Sequence, residues 1–234
     1  MSAADRLIVA LDFTSAAPAL RIARRLRGIV RTVKIGSALF TACGPEVIRR
    51  IRALGFQVML DLKFHDIPST VKLSCRAAVH QRVSLLTVHA VGERAMLEAA
   101  ARGVREEAAR LRVPRPKVVA VTVLTSVSAD GASVRRQVLR LAGLALRAGC
   151  DGVVASAQEA PALRKRFARK LRLVCPGIRP ASARREDQRR VCTPANALAA
   201  GADMLVVGRP ITAARRPRTA AQQILNEMKE VNGC

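Results

Sequence analysis

The chain has 234 residues and a mass of 25.1 kDa, half of it hydrophobic, which suffices for one large buried core and excludes wholesale disorder. Thirty-four Arg and seven Lys against 17 acidic residues leave a formal charge of +24, a balance that favours nucleic acid, an acidic membrane surface or phosphorylated small molecules as partners. No Trp, no Tyr and five Phe argue against a reader of single-stranded nucleic acid, and no apolar run approaches the roughly 18 residues of a membrane span.

Taken in chain order, the start is a short apolar stretch that ends in a carboxylate, Leu7–Asp12. It lacks a secretory profile, so a soluble cytoplasmic protein is expected. This first candidate strand is followed by an amphipathic segment, Pro18–Arg27, and the alternation then repeats. Strands are predicted at Thr32–Gly36, Gln57–Lys63, Leu85–Ala90, Val118–Thr125, Gly152–Ala157, Leu171–Ile178 and Met204–Ile211. Between them lie helical candidates such as Pro45–Leu54, Arg94–Leu111, Ser133–Ala148 and Ala220–Val231. Most of the strands are rich in Val, Ile and Leu without strict alternation, as parallel strands covered on both faces are. Eight such units in this length predict one α/β domain over residues 1–234, a (β/α)8 TIM barrel. A doubly wound open sheet is the alternative, but no Gly-x-Gly-x-x-Gly follows the first strand. The six cysteines form no Cys-x-x-Cys pair and read as small buried hydrophobes. Arg21, Arg24, Arg25, Arg27, Arg49, Arg50, Arg52, Arg164, Arg166 and Arg169 fall on helical segments and read as a solvated exterior rather than a dedicated nucleic-acid surface.

In a barrel of this type the chemistry belongs at the C-terminal ends of the strands. Those ends read Asp12, Lys34, Asp61 with Lys63, His89, Thr125, Ser156, Arg179, and Gly208 with Arg209. Asp61 and Lys63 are two apart, so a regular strand points both toward the barrel interior. In a chain that prefers Arg almost fivefold, Lys34 and Lys63 both stand at strand ends, and lysine can deliver a proton where arginine cannot easily do so. A second cluster, at the loops after strands seven and eight, suits a phosphate. Gly208 lets the backbone approach an anion, Arg179 and Arg209 offer planar forks, and Gln188 offers a neutral amide.

These residues carry a resemblance. Ile8-Val-Ala-Leu-Asp-Phe13, Val33-Lys-Ile-Gly36, Asp61-Leu-Lys-Phe-His-Asp-Ile-Pro-Ser-Thr70, Val121-Thr-Val-Leu-Thr-Ser126, Pro176-Gly-Ile-Arg-Pro180, Asp187-Gln-Arg-Arg190 and Val207-Gly-Arg-Pro-Ile211 resemble the orotidine 5′-phosphate decarboxylase family across nearly the whole chain. The resemblance implies a (β/α)8 barrel that acts as a homodimer with composite active sites on orotidine 5′-monophosphate, in pyrimidine nucleotide synthesis, with no metal or organic cofactor. It casts Asp12 and Lys34 as ribose contacts, with Lys34 also in the charged array. Asp61 would sit against the scissile carboxylate, and Lys63 would protonate C6. Asp66, Ile67 and Thr70 would reach the neighbouring subunit's site. Thr125 would hold the pyrimidine edge beside Ser126, while Arg179, Gln188, Gly208 and Arg209 would bind the 5′-phosphate. The chain departs from the family pattern at Ala38, at Gly92-Glu93, and in residues 180–187, which contain Arg184 and Arg185 and no glycine.

Two rivals remain at this point. Related sugar-phosphate enzymes share Asp-x-Lys-x-x-Asp but use Mg²⁺, and the Asp66–Thr70 segment and Gln188 argue against them. A nucleic-acid-binding protein would use the +24 charge, but dispersed Arg and the missing aromatics argue against specific binding.

Overall fold

The computed structural model describes residues 2–123, 131–180 and 192–230. Thr125, Ser126, Gln188 and residues 181–187 of the expected phosphate loop lie outside them. Eight parallel strands run in chain order around a closed barrel: β1 (Leu7–Ala10), β2 (Thr32–Gly36), β3 (Gln57–Phe64), β4 (Leu85–His89), β5 (Lys117–Val121), β6 (Gly152–Val154), β7 (Arg172–Cys175) and β8 (Met204–Val207). β8 closes on β1, with Ile8 opposite Val206.

The helices described are α1 (Ala3–Arg6), α2 (Ala16–Leu26), α3 (Ser37–Cys43), α4 (Glu46–Ala53), α5 (Pro68–His80), α6 (Glu93–Arg110), α7 (Gly131–Arg147), α8 (Ala160–Phe167), α9 (Pro194–Ala199), α10 (Arg209–Thr212) and α11 (Pro217–Glu230). Among the described residues, none is long and apolar enough to cross a membrane.

Side chains alternate across each strand, and the barrel uses both faces. One phase of the strands, including Leu7, Val9, Ile35, Val58 and Leu86, packs outward beneath the helices. The opposite phase supplies Ile8, Ala10, Met59, Leu85, Val119, Val174, Met204 and Val206, which fill the interior as an apolar plug. Extending that inner phase toward the strand ends reaches Asp12 after Ala10, Asp61 after Met59, Thr87 after Leu85, and Gly208 after Val206. The rhythm that builds the plug therefore also aims the polar layer above it.

The strand ends differ from the sequence reading where proline or a turn intervenes. β7 stops at Cys175 because Pro176 has no N–H to donate, and Ile178 retains only an isolated parallel bridge to Cys192. β8 stops at Val207 rather than Ile211, since Arg209-Pro-Ile-Thr212 folds into α10 with Gly208 as its cap. β6 ends at Val154, and the Ser156 carbonyl accepts a turn hydrogen bond from Glu159 N–H at 3.1 Å. β3 gains Phe64, and its pairing with β4 shifts, since Leu60 faces Leu86 whereas Phe64 faces Val88.

Of the ten arginines read as a solvated exterior, nine are exposed and one is a correction. Arg164 is half-buried, because its guanidinium donates to the Gly201 carbonyl at 2.9 Å and the Leu171 carbonyl at 2.9 Å and pairs with Asp203. Cys75, Cys150 and Cys175 are buried free thiols, and burial pushes each up to about 12. None is poised to react as a thiolate.

Candidate active site

The barrel mouth holds a cavity of about 370 Å³. Ala10, Met59, Val121, Val154 and Val206 line its apolar part, and Asp12, Lys34, Asp61, Lys63, Arg179, Gly208 and Arg209 line its polar part. Seven of the predicted site residues thus meet in one space. His89 and Ser156, read as strand-end candidates, do not line it. Asp66, Ile67 and Thr70 also lie outside it, exposed, the first two on the turn into α5, where the Asp66 carboxylate accepts from the Ile67 N–H at 2.6 Å, and Thr70 in the first turn of α5.

Acids and bases alternate across the first three strands. Lys34, opposite Ala10 in the β1–β2 register, reaches Asp12 Oδ1 at 2.8 Å and Asp61 Oδ2 at 3.3 Å. Asp61 Oδ2 also accepts from Lys63 Nζ at 2.9 Å. A leaner side chain is needed where this network crosses β2: a Cβ on Gly36 would lie 3.1 Å from Lys34 Nζ and 3.2 Å from Asp12 Oδ1. Asp61 is only 8% exposed. Burial pushes its carboxyl up, but the Lys34 and Lys63 ammoniums, with hydrogen bonds from Lys63 and Thr87, prevail and hold it below the ordinary carboxylate range. For Lys34, burial favours loss of the proton, yet Asp61 and Asp12 outweigh it and raise the ammonium above its usual value.

Lys63 does reach the interior, but not through a regular strand. Its φ is +50°, in the left-handed region, inside the β3–β4 irregularity. Its N–H donates to the Thr87 hydroxyl at 2.9 Å, and that hydroxyl donates to Asp61 Oδ1 at 3.0 Å. Thr87 is fully buried and was not anticipated from sequence. The signal available was a hydroxyl on the inner phase of an otherwise apolar strand, Leu85-Leu-Thr-Val-His89. Beyond it, the His89 and His65 rings lie 5.7 Å apart, and burial first, then His65 and Lys63, pull the His89 imidazole below its ordinary value.

On the opposite rim, Gly177 takes φ +77° and lets the chain turn after Pro176. Arg179 N–H donates to the Cys192 carbonyl at 3.0 Å, while Cys192 N–H donates to the Gly177 carbonyl at 3.3 Å. These bonds fix Arg179, which is 7% exposed and whose Nε has no hydrogen-bond partner among the described residues. A buried guanidinium N–H without an acceptor is costly, and an anionic ligand at this rim would satisfy it. Gly208 adds open space: a Cβ there would meet nothing closer than Ala10 Cβ at 3.7 Å, so its absence serves the cavity and not the packing.

The model of the orotidine 5′-phosphate decarboxylase/HUMPS family matches residues 5–224 of this chain. Orotidine 5′-phosphate decarboxylase of Halorhodospira halophila is 50% identical over 230 residues, covering 95% of both chains. The enzyme of that name from Moorella thermoacetica is 48% identical over 239 residues, covering 99% of this chain and 95% of the relative. Among solved structures, orotidine 5′-phosphate decarboxylase from Lactobacillus acidophilus superposes with a TM-score of 0.83 at 34% identity, over 96% of this chain and 99% of that one.

Proposed function

The chain belongs to the orotidine 5′-phosphate decarboxylase/HUMPS family, and on that premise we propose that it converts orotidine 5′-monophosphate to uridine 5′-monophosphate through the Asp61–Lys63 pair. It is a carboxy-lyase of pyrimidine nucleotide synthesis. The observation that carries the residue assignment is a single buried carboxylate holding two ammoniums, in a cavity whose other rim presents a guanidinium N–H with no partner among the described residues.

The substrate carries a phosphate at one end and a carboxylate on C6 at the other. Arg179, Arg209 and the Gly208 backbone bind the phosphate, with Gln188 as a further donor. Asp12 and Lys34 bind the ribose hydroxyls, and the pyrimidine lies against the apolar wall of Val121, Val154 and Ile178, its edge held by Thr125. This grip places the C6 carboxylate beside Asp61, where two anions repel. Breaking the C6–carboxylate bond releases CO₂ and leaves the electron pair on C6, with no carbonyl placed to absorb it. The Lys63 ammonium stabilises that localised charge and then gives up a proton from Nζ, forming the C6–H bond of the product. One such contact at about 4 Å is worth about 4 kcal/mol at an effective dielectric of 20, or about a thousandfold in rate. Lys63 is the more open of the two lysines, 35% exposed against 12% for Lys34, so it can regain its proton from solvent.

No cofactor enters this scheme. A divalent cation at Asp61 Oδ2 would meet two ammoniums that already lie within 3.3 Å of that oxygen. The whole chain serves as one catalytic domain, working in the cytoplasm as a homodimer. Support for the dimer comes from the exposed corner that carries Asp66, Ile67 and Thr70, where Ile67 is 63% and Leu73 64% exposed. The test is the ultraviolet absorbance change on adding orotidine 5′-monophosphate to purified protein in EDTA. Full turnover is expected. Activity that vanishes in EDTA and returns with Mg²⁺ would assign the chain to the sugar-phosphate branch of the family.

A further inference from the structure

Lys63 stands where a strand would not normally hold a lysine. The β3–β4 ladder is interrupted between Leu60 and Phe64, and within that gap Lys63 adopts a left-handed backbone. Such a conformation persists in a residue with a Cβ only when its surroundings fix it. What fixes it here is a side chain, since the Lys63 N–H donates to the Thr87 hydroxyl instead of a β4 carbonyl.

A threonine hydroxyl has one proton to give. Because Thr87 Oγ1 accepts the Lys63 N–H, its own proton is free to go to Asp61 Oδ1, at 3.0 Å. Asp61 is then divided between two duties, with Oδ1 turned to β4 and Oδ2 turned to Lys34 and Lys63. One buried hydroxyl thus sets both the rotation of the carboxylate and the backbone from which the lysine side chain returns to it. We propose that Thr87 is a positioning residue for decarboxylation, holding the proton donor Lys63 and its partner Asp61 in reacting geometry through this single hydroxyl. The proposal rests on the reading of Asp61 and Lys63 as the reacting pair.

Packing alone would be served equally by valine, which has nearly the same shape and no hydroxyl. Thr87→Val is therefore the test, with Thr87→Ser as the restoring variant. Loss of a hydrogen bond to a charged group predicts a kcat lower by about 10- to 100-fold. KM and uridine 5′-monophosphate affinity should stay within about twofold, because the phosphate grip is untouched. The acid limb of the kcat profile should move to higher pH, since Asp61 must be ionised and has lost a donor that favours its charge. The other charged groups facing Asp61, namely Lys34 with Asp12 behind it, Lys63, and His89 with His65 beside it, are the same in every variant. Thr87→Ser should restore both rate and acid limb. A folded, nucleotide-binding Val variant with wild-type kcat and acid limb would overturn the proposal. So would a loss of rate with no shift of the limb and no recovery in Ser, which is what a packing defect gives. If the Val variant does not fold, Thr87→Cys, small and a weak donor, takes the same readouts. Asp61→Asn and Lys63→Ala run in parallel: turnover by either defeats the reading of the pair itself, whereas two dead controls beside an unperturbed Thr87→Val defeat only the role of Thr87.

Discussion

Asp12, Lys34, Asp61 and Lys63 form a line of two acids and two bases, joined by contacts of 2.8, 3.3 and 2.9 Å. The line is complete without substrate, so its charges need not be reoriented as the reaction proceeds. Within it, identity matters at Lys63. Lys63→Ala removes both the cation and the proton and should lower turnover by at least about a thousandfold, while product binding through the phosphate rim persists. Lys63→Arg retains a cation but not a usable acid and should be comparably inactive. Stopped assays of turnover beside calorimetric titration with uridine 5′-monophosphate separate the two effects. Substantial turnover by the Arg variant would remove Lys63 as proton donor.

At the scale of elements, α5 and α6 are joined by a buried charge. Glu107 of α6 is 1% exposed and accepts from Arg76 at 2.8 Å and His80 at 2.8 Å, both on α5, and from Arg110 on its own helix. Hydrogen bonds from Arg110, opposed by burial and then joined by Arg76 and His80, depress its carboxyl to about 2. A folded value below the ordinary 4.5 means that the stabilisation is fully present above 4.5 and fades as pH falls toward 2. Glu107→Gln should therefore lower Tm by several degrees at neutral pH, and the gap to wild type should close through that acid window. A gap independent of pH would show that the charge is not what joins the helices. None of this was legible in the sequence, where Glu106 and Glu107 stand side by side and nothing marks the second as buried. The barrel was legible, because parallel strands covered on both faces need apolar runs, and these recur eight times. Asp61, Lys63 and Arg179 were legible because charge at the end of an apolar strand is rarely idle. Thr87 escaped because a hydroxyl in a strand is common, and only the break in the ladder, a tertiary event, gives it two partners.

The whole molecule carries +24, so two copies would have to meet against that repulsion, which salt screens beyond about 10 Å at 0.1 M. A two-fold interface built on Ile67 and Leu73 would cover apolar surface and carry Asp66 and Thr70 toward the partner's cavity, the same patch giving and receiving. Complementation reads this directly. Lys63→Ala and Asp66→Ala homodimers should each be nearly inactive, while mixing forms dimers with one doubly defective site and one intact site. Random equal mixing should recover about a quarter of wild-type activity, since half the dimers are mixed and half their sites are whole. No recovery, with subunit exchange verified by mass, would return Asp66 to its own chain.

The break in β3 has a parity. Between the same two anchor points the chain takes four steps along β3, Leu60 to Phe64, and two along β4, Leu86 to Val88. The surplus is an even number. An odd surplus would have turned the rest of the strand inside out, sending Lys63 beneath the helices and bringing Leu62 and Phe64, which pack against the outer core, into the mouth. An even one holds the lysine back along the barrel axis, level with Thr87 instead of His89, while every side chain keeps its side. The length of this strand is therefore open to revision only in twos, and a lineage that lost one residue here would lose the lysine from the mouth and the core together.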